Sequence, residues 1–387
     1  MSLLPQQKGE NIIIPREEEQ KLRQSLEQKN DADSQRLKRY LEMPDLSRAP
    51  DSPIYEVVQK IIGLDYFKGF DAIDVPDIVR ADLSFDLFNF PKDHPARFRT
   101  DTYFINDEYI LRTHTTVMWY YYLRHLIIKE RVEKNMPFGV FCHGKVYRKD
   151  EIDRHHMNIF HQMDGLYFAP RSQKEITQDD LKEALGEVAR GIYGPQTKFR
   201  FNPDDFPYTH TSLEMEIQVG SNWLEVLGGG LVQPVVMEKL DMDPAKYTGW
   251  AFGFGLERLA IISMDLPDIR LLWSENPRVK KQLKLGQKFV EVSKYPPITR
   301  DISFVVSKNF VPNNYFDLIR DIGGNIVEEV KLLDKYENPE KFGTDKISYT
   351  YRIVYRSTDR TLTTDEIDPI QKKIYDQTAS LFGAELR

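Results

Sequence analysis

The chain has 387 residues, 53 Lys and Arg against 60 Asp and Glu for a net charge of -7, and 41% hydrophobic residues, among them 22 Phe and 20 Tyr. That size and composition bury a proper core in two or three domains and exclude disorder for most of the chain. The single cysteine, Cys142, excludes an intramolecular disulfide framework and a thiolate-rich metal site, no apolar run approaches the roughly 20 residues of a membrane span, and the acidic balance argues against wholesale coating of nucleic acid.

Residues 1–51 are polar and charged, with Glu17–Glu19 opening a helix-prone stretch that prolines close. We read them as an N-terminal tail, without an apolar signal region and too acidic for an Arg/Ser-rich transit peptide. From Ser52 the pattern tightens: Ile54, Val57, Val58, Ile61 and Ile62 recur at helical intervals. FDAIDVPDI and TDTYFINDEYILRTH, with a turn at Asn106-Asp107, read as strands, and WYYYLRHLIIKERVEKN as one helix with a buried face. GVFCHGKVYRKD and IFHQMDGLYFA are strands joined by the charged loop EIDRHHMN. An amphipathic helix capped by Thr177 follows, then a hairpin turning at Gly220-Ser221-Asn222, and then WAFGFGLERLAIISM, a strand running into a helix. Hairpin-paired strands with helices set irregularly between them predict an antiparallel α+β sheet over residues 52–278. A basic linker is expected over residues 279–294, with Pro296-Pro297 directly after it. Residues 295–387 then parse as β-α-β-β-α-β, the ferredoxin-like split unit.

Chemistry-bearing residues concentrate around GKVYRKD and HHMNIFHQMDG. Arg148 ends one strand. On the next, period-2 geometry points Phe160, Gln162 and Asp164 one way and His161 and Met163 the other. Such a face can stack an aromatic base and hydrogen-bond an amine and a carboxylate; the plainer alternative is a surface hairpin with a satisfied polar pair. In GFGLERL, Gly253 and Gly255 allow close backbone approach and Arg258 follows at a helix start, the plainer alternative being strand-to-helix packing. Together with the Gly228-Gly229-Gly230 run, these two cations point to a polyphosphate site other than a P-loop, since no GxxxxGK[ST] occurs. Seven of the eight histidines lie between His94 and His161, yet their spacing makes no HExxH pair, and no GxSxG elbow is present.

At these residues the chain resembles the class II aminoacyl-tRNA synthetases, and within them the single-chain organellar phenylalanyl-tRNA synthetases. DHPAR, DTYFI, LRTHT, GKVYRKD, HHMNIFHQMDG, FPYTHTSLEMEI, WLEVLGGG, GWAFGFGLERLA and LPDIRLLW carry the likeness in order, and RDISFVV…DRTL resembles that family's ferredoxin-like anticodon-binding domain. The resemblance implies a catalytic domain over 52–278 that uses ATP and Mg²⁺ to form phenylalanyl-adenylate and then charges the terminal ribose 2′-hydroxyl of tRNA(Phe). It implies that Arg148 holds the α-phosphate and the amino-acid carboxylate, and that His156 touches phosphate. By the same resemblance Phe160 would stack on adenine, Arg258 would hold the γ-phosphate, Gly255 would line the nucleotide, and Glu225 would stand near magnesium. The resemblance likewise implies that His114, Thr116, Gln162, Asp164 and Gly230 surround the amino acid's polar end and that Phe206 and Tyr208 receive its phenyl ring edge-on. The family usually has Ser at position 116, Glu at 164 and Phe at 208, so the Tyr208 hydroxyl either meets solvent or occupies space that phenylalanine needs.

An acyl-adenylate forms when an already ionised carboxylate is aligned with the α-phosphorus and the developing charge is neutralised, work suited to arginines and Mg²⁺ without a general base. Arg352, Arg356 and Arg360 are expected to contact tRNA phosphates, with Tyr349, Tyr351, Ile353 and Tyr355 on the opposite, core face. The likeness further implies a monomer in the mitochondrial matrix, the cytoplasm being the alternative compartment. Two other readings stand beside it: a paralogue charging another aromatic amino acid, and a silent tRNA-binding relative.

Overall fold

In the computed structural model, residues 2–149, 154, 156–357 and 359–387 are described. The chain divides into two compact units, one ending at Phe289 and the other spanning Val290–Arg387.

The first unit is built on an eight-stranded sheet. Its strands are β1 (Asn11–Ile13), β2 (Asp71–Asp74), β5 (Phe138–Tyr147), β6 (Ile159–Pro170), β7 (Phe199–Pro203), β8 (Thr209–Val219), β9 (Asn222–Val232) and β10 (Tyr247–Gly255), while β3 (Ile78–Arg80) and β4 (Tyr109–Leu111) pair separately. The order is β1-β2-β5-β6-β10-β9-β8-β7. The pairings from β5 through β7 are antiparallel, as the hairpin pattern predicts; β1 on β2 and β2 on β5 are parallel. The β8–β9 hairpin turns where expected, with Val219 opposite Asn222 and Gly220 at φ +60°. Trp119, Phe138, Val140, Cys142, Leu166 and Phe168 form the core beneath the sheet.

The helix Pro53–Ile62 buries Ile54, Val57, Val58 and Ile61, and Ser52 caps it through its hydroxyl, which accepts from the Ile54 N–H at 3.1 Å. At the helix Gln178–Tyr193 the Asp180 carboxylate accepts from both the N–H and the hydroxyl of the N-cap residue Thr177, which fixes the helix start.

Three expectations are corrected. Residues 2–51 do not lie apart as a tail: Ile12 enters the sheet edge, and the helices Glu17–Glu27 and Ala32–Glu42 bury Leu26, Leu37 and Leu41 against the first unit. The stretch read as a linker is anchored up to Phe289, because Val279, Leu283 and Phe289 are buried and the Gly286 N–H donates to Ser263 Oγ at 2.9 Å. The expected single helix around Tyr120 is two, Met118–Leu123 and Leu126–Glu133, because His125 between them is extended at ψ 141°.

The second unit has β11 (Ile298–Ser307), β12 (Val327–Tyr336), β13 (Lys346–Tyr355) and β14 (Glu385–Leu386) in the order β12-β13-β11-β14. The long helices Pro312–Gly323 and Thr364–Phe382 complete a β-α-β-β-α-β succession, the ferredoxin-like order. Tyr349, Tyr351, Ile353 and Tyr355 all face its core with Phe304, Tyr315 and Ile374. Among the described residues of the whole chain, no helix is long and apolar enough to cross a membrane.

Candidate active site

One cavity of about 1080 Å³ opens in the first unit, at the top of the range of roughly 300–1,000 Å³ usual for ligand clefts and roomy enough for two small substrates. Period-2 geometry brings Phe160, Gln162 and Asp164 of β6 to its wall, while His161 and Met163 turn away and are fully buried. Pairing of β6 with β10 sets Asp164 opposite Gly253. A Cβ at position 253 would stand 2.8 Å from Asp164 Oδ1, so only glycine leaves the carboxylate its place. Where β10 passes into the helix Leu256–Met264, Gly255 faces open space and Arg258 reaches the same cavity.

The site grades from charged to apolar. At its charged end, Arg148 Nε donates to the Thr113 carbonyl at 2.9 Å, and the guanidinium carbon lies 5.2 Å from the centre of the Phe160 ring. Arg258, half exposed, donates to the Glu225 carbonyl at 3.3 Å and lies 3.5 Å from the Glu225 carboxylate. His156 also lines this end; part of its loop, residues 150–153 and 155, lies outside the described residues.

At the polar end, the hydroxyls of Thr115 and Thr116 both donate to the Asp164 carboxylate, the second at 2.8 Å. Burial pushes the Asp164 carboxyl up to about 6. His114 donates from Nε2 to the Ser84 carbonyl at 3.1 Å, which leaves Nδ1 as an acceptor. Burial and the charge of Arg148 push His114 down to about 4, so it is neutral near pH 7. His114 Nδ1 and Gln162 Oε1 are buried without a hydrogen-bond partner among the described residues. Two unmet acceptors beside an aspartate can accept hydrogen bonds from a cationic donor such as an ammonium group.

At the apolar end, Phe206 and Tyr208 stack 6.1 Å apart, and Tyr208 meets Trp119 edge-on at 5.8 Å. The Tyr208 hydroxyl does not point to solvent. It lies near Thr116, whose own proton goes to Asp164, so the hydroxyl is turned to the polar end.

Twelve of the expected nucleotide and amino-acid contacts thus share one cavity: Arg148, His156, Phe160, Glu225, Gly255, Arg258, His114, Thr116, Gln162, Asp164, Phe206 and Tyr208. Gly230 does not line it; the space a side chain would take there is filled by Thr209 and Ser212, and Gly228 and Gly229 border the cavity instead. Sequence reasoning missed Phe90 and Trp119, which also line the wall. Phe90 sits in a loop without periodicity, and Trp119 read as part of an apolar helix face.

In the second unit, Arg352, Arg356 and Arg360 do not form an open cationic stripe. Arg352 is bidentate on Asp301, with both bonds at 2.8 Å; Arg356 bonds Glu328 at 2.8 Å, and Arg360 bonds Glu366 at 2.9 and 2.5 Å.

Residues 40–283 match the family described as tRNA synthetases class II core domain (F), and residues 293–387 match the ferredoxin-fold anticodon binding domain. The chain is similar to a chloroplastic/mitochondrial phenylalanine–tRNA ligase of Arabidopsis thaliana, 39% identical over 325 residues, covering 81% of this chain and 72% of the relative. It is also similar to a mitochondrial phenylalanine–tRNA ligase of Mus musculus, 33% identical over 351 residues, with 81% and 74% covered. A phenylalanine–tRNA ligase alpha subunit of Caldicellulosiruptor saccharolyticus is 36% identical over 244 residues, with 60% and 68% covered.

Proposed function

The chain belongs to the class II aminoacyl-tRNA synthetases, in the phenylalanine–tRNA ligase family, and from that membership we propose that it joins L-phenylalanine to tRNA(Phe) with ATP in the cavity described. The observation that carries this reading is the convergence of Arg148, Phe160 and Arg258 on one cavity with an aromatic slot and two unmet hydrogen-bond acceptors.

In the first step the amino-acid carboxylate attacks the α-phosphorus and pyrophosphate leaves. Arg148 holds the carboxylate and the α-phosphate together and neutralises the charge that builds on the phosphoryl oxygens. Phe160 stacks on adenine, and Arg258 exchanges Glu225 for the γ-phosphate. The ammonium group donates to His114 Nδ1, Gln162 Oε1 and Asp164, and the phenyl ring lies between Phe206 and Tyr208. In the second step the ribose 2′-hydroxyl attacks the acyl carbon and AMP departs.

Mg²⁺ belongs to the same proposal. No cluster of three or more metal-ligating side chains occurs among the described residues. That donor set fits an ion brought in by ATP phosphates and held by one carboxylate, Glu225, since Mg²⁺ commonly takes only one or two from the protein. Bound there, it would supply further charge neutralisation to the triphosphate.

The ferredoxin-like unit is proposed to hold tRNA(Phe), its three arginines exchanging carboxylate for phosphate. We further assign a monomer in the mitochondrial matrix, on the family likeness and on relatives whose names are mitochondrial. The test is ATP–pyrophosphate exchange with all twenty amino acids, followed by charging of tRNA(Phe). Exchange driven by phenylalanine, followed by charging, is expected. Exchange driven by another amino acid would make the chain a paralogue, and no exchange at all would make it a silent tRNA-binding relative.

A further inference from the structure

We infer that His161, which lines no part of the cavity, is a positioning residue for ATP activation, acting through Glu257 on Arg258. His161 is fully buried, and its two ring nitrogens have fixed and different roles. Nε2 accepts from the Leu46 N–H at 2.9 Å, so the proton sits on Nδ1, which donates to Glu257 Oε1 at 2.6 Å. The backbone N–H of His161 also donates to both oxygens of Glu257, at 2.9 Å each. The imidazole stacks on Trp273 with centroids 5.5 Å apart.

This one carboxylate therefore ties β6 to the first turn of the helix Leu256–Met264. On β6, the neighbours Phe160 and Gln162 face the cavity; on the helix, the neighbour Arg258 does. Glu257 is itself buried, so it has no freedom to re-pair with solvent. The adenine platform and the triphosphate cation are thus set at a fixed separation by a bond that runs from Glu257, on the cavity wall, to His161 behind it. A misplacement of about 1 Å costs on the order of 10²-fold in rate.

The inference rests on the reading that Arg258 holds triphosphate. In ATP–pyrophosphate exchange, His161→Ala is expected to lower kcat/KM for ATP by about 10- to 100-fold and to leave KM for phenylalanine within about threefold. His161→Asn keeps a donor at the Nδ1 position and recovers most of the loss; His161→Gln, whose amide lies at the Nε2 side, does not. A Glu257→Ala, His161→Ala double variant is no worse than Glu257→Ala alone, because Glu257→Ala already removes the ring bond that His161→Ala breaks. The inference is overturned if His161→Ala lowers only the melting temperature, if the double loss is additive, or if Asn is no better than Gln. Should the alanine variant not fold, the Asn and Gln variants alone decide it. Arg258→Ala is run alongside: normal exchange there refutes the triphosphate reading itself, whereas impaired exchange with unaffected His161 variants refutes only the positioning.

Discussion

Replacing Arg148 separates charge from shape. Its guanidinium plane is fixed from two sides, by the Nε bond to the Thr113 carbonyl at 2.9 Å and by the Phe160 ring at 5.2 Å. Arg148→Ala removes a preorganised charge aimed at the phosphoryl oxygens, which costs about 2.7–4 kcal/mol, or 10²- to 10³-fold in kcat. Arg148→Lys keeps the charge and loses the other two contacts. The ring contact accounts for about 0.5–1 kcal/mol. The hydrogen bond adds about 0.5–1.5 kcal/mol, so the Lys variant falls roughly 5- to 70-fold. The expected order in phenylalanine-dependent ATP–pyrophosphate exchange at saturating substrates is wild type, then Lys, then Ala, with melting temperatures showing that both variants are folded. Exchange by Arg148→Ala within threefold of wild type would remove this residue from the chemistry. Equal losses in Ala and Lys would show that geometry, and not charge, sets the rate.

Gly228→Ala places a Cβ 2.9 Å from Phe206 Cζ, the tip of a ring that can swing aside. Stability therefore changes little, while KM for phenylalanine rises about 5- to 10-fold for roughly 1 kcal/mol of lost ring contact and KM for ATP holds; a shift in both KM values would contradict this. The Asp164 carboxyl, pushed up to about 6 by burial, keeps its proton until the pH reaches that value, so kcat/KM for phenylalanine falls as the pH drops through about 6. Asp164→Asn abolishes that break. His114, neutral down to about 4, cannot produce it, and a break that survives in the Asn variant would reassign the titration. Tyr208→Phe deletes a hydroxyl that lies near Thr116, at a cost of at most about 1.5 kcal/mol in thermal unfolding. Since that hydroxyl faces the polar end, selectivity for phenylalanine over tyrosine is expected to change less than threefold; a larger change, read in exchange with each amino acid, would place it against the substrate ring.

What the sequence disclosed and what it hid divide along physical lines. The wall of Phe160, Gln162 and Asp164 was legible because side-chain alternation in a strand is strict and local, and the Gly-punctuated passage into the Arg258 helix was legible for the same reason. The docked N-terminal region was hidden. Leu26, Leu37 and Leu41 are diluted among charges, and β1 pairs with β2 sixty residues on, Asn11 opposite Ala72. The partners of Arg352 and Arg356 were hidden likewise, since Asp301 and Glu328 reach them across strand pairings distant in the chain. Gly230 looked equivalent to its two neighbours; only the packing of Thr209 and Ser212 tells them apart.

The parallel placement of β1 has a bearing on how the chain is made. Its docking strand β2 leans on β5, with Asp71 opposite Val140, so β1 finds no complete template until residues 138–147, made well after it, have followed. Late closure of that seam is built into the topology.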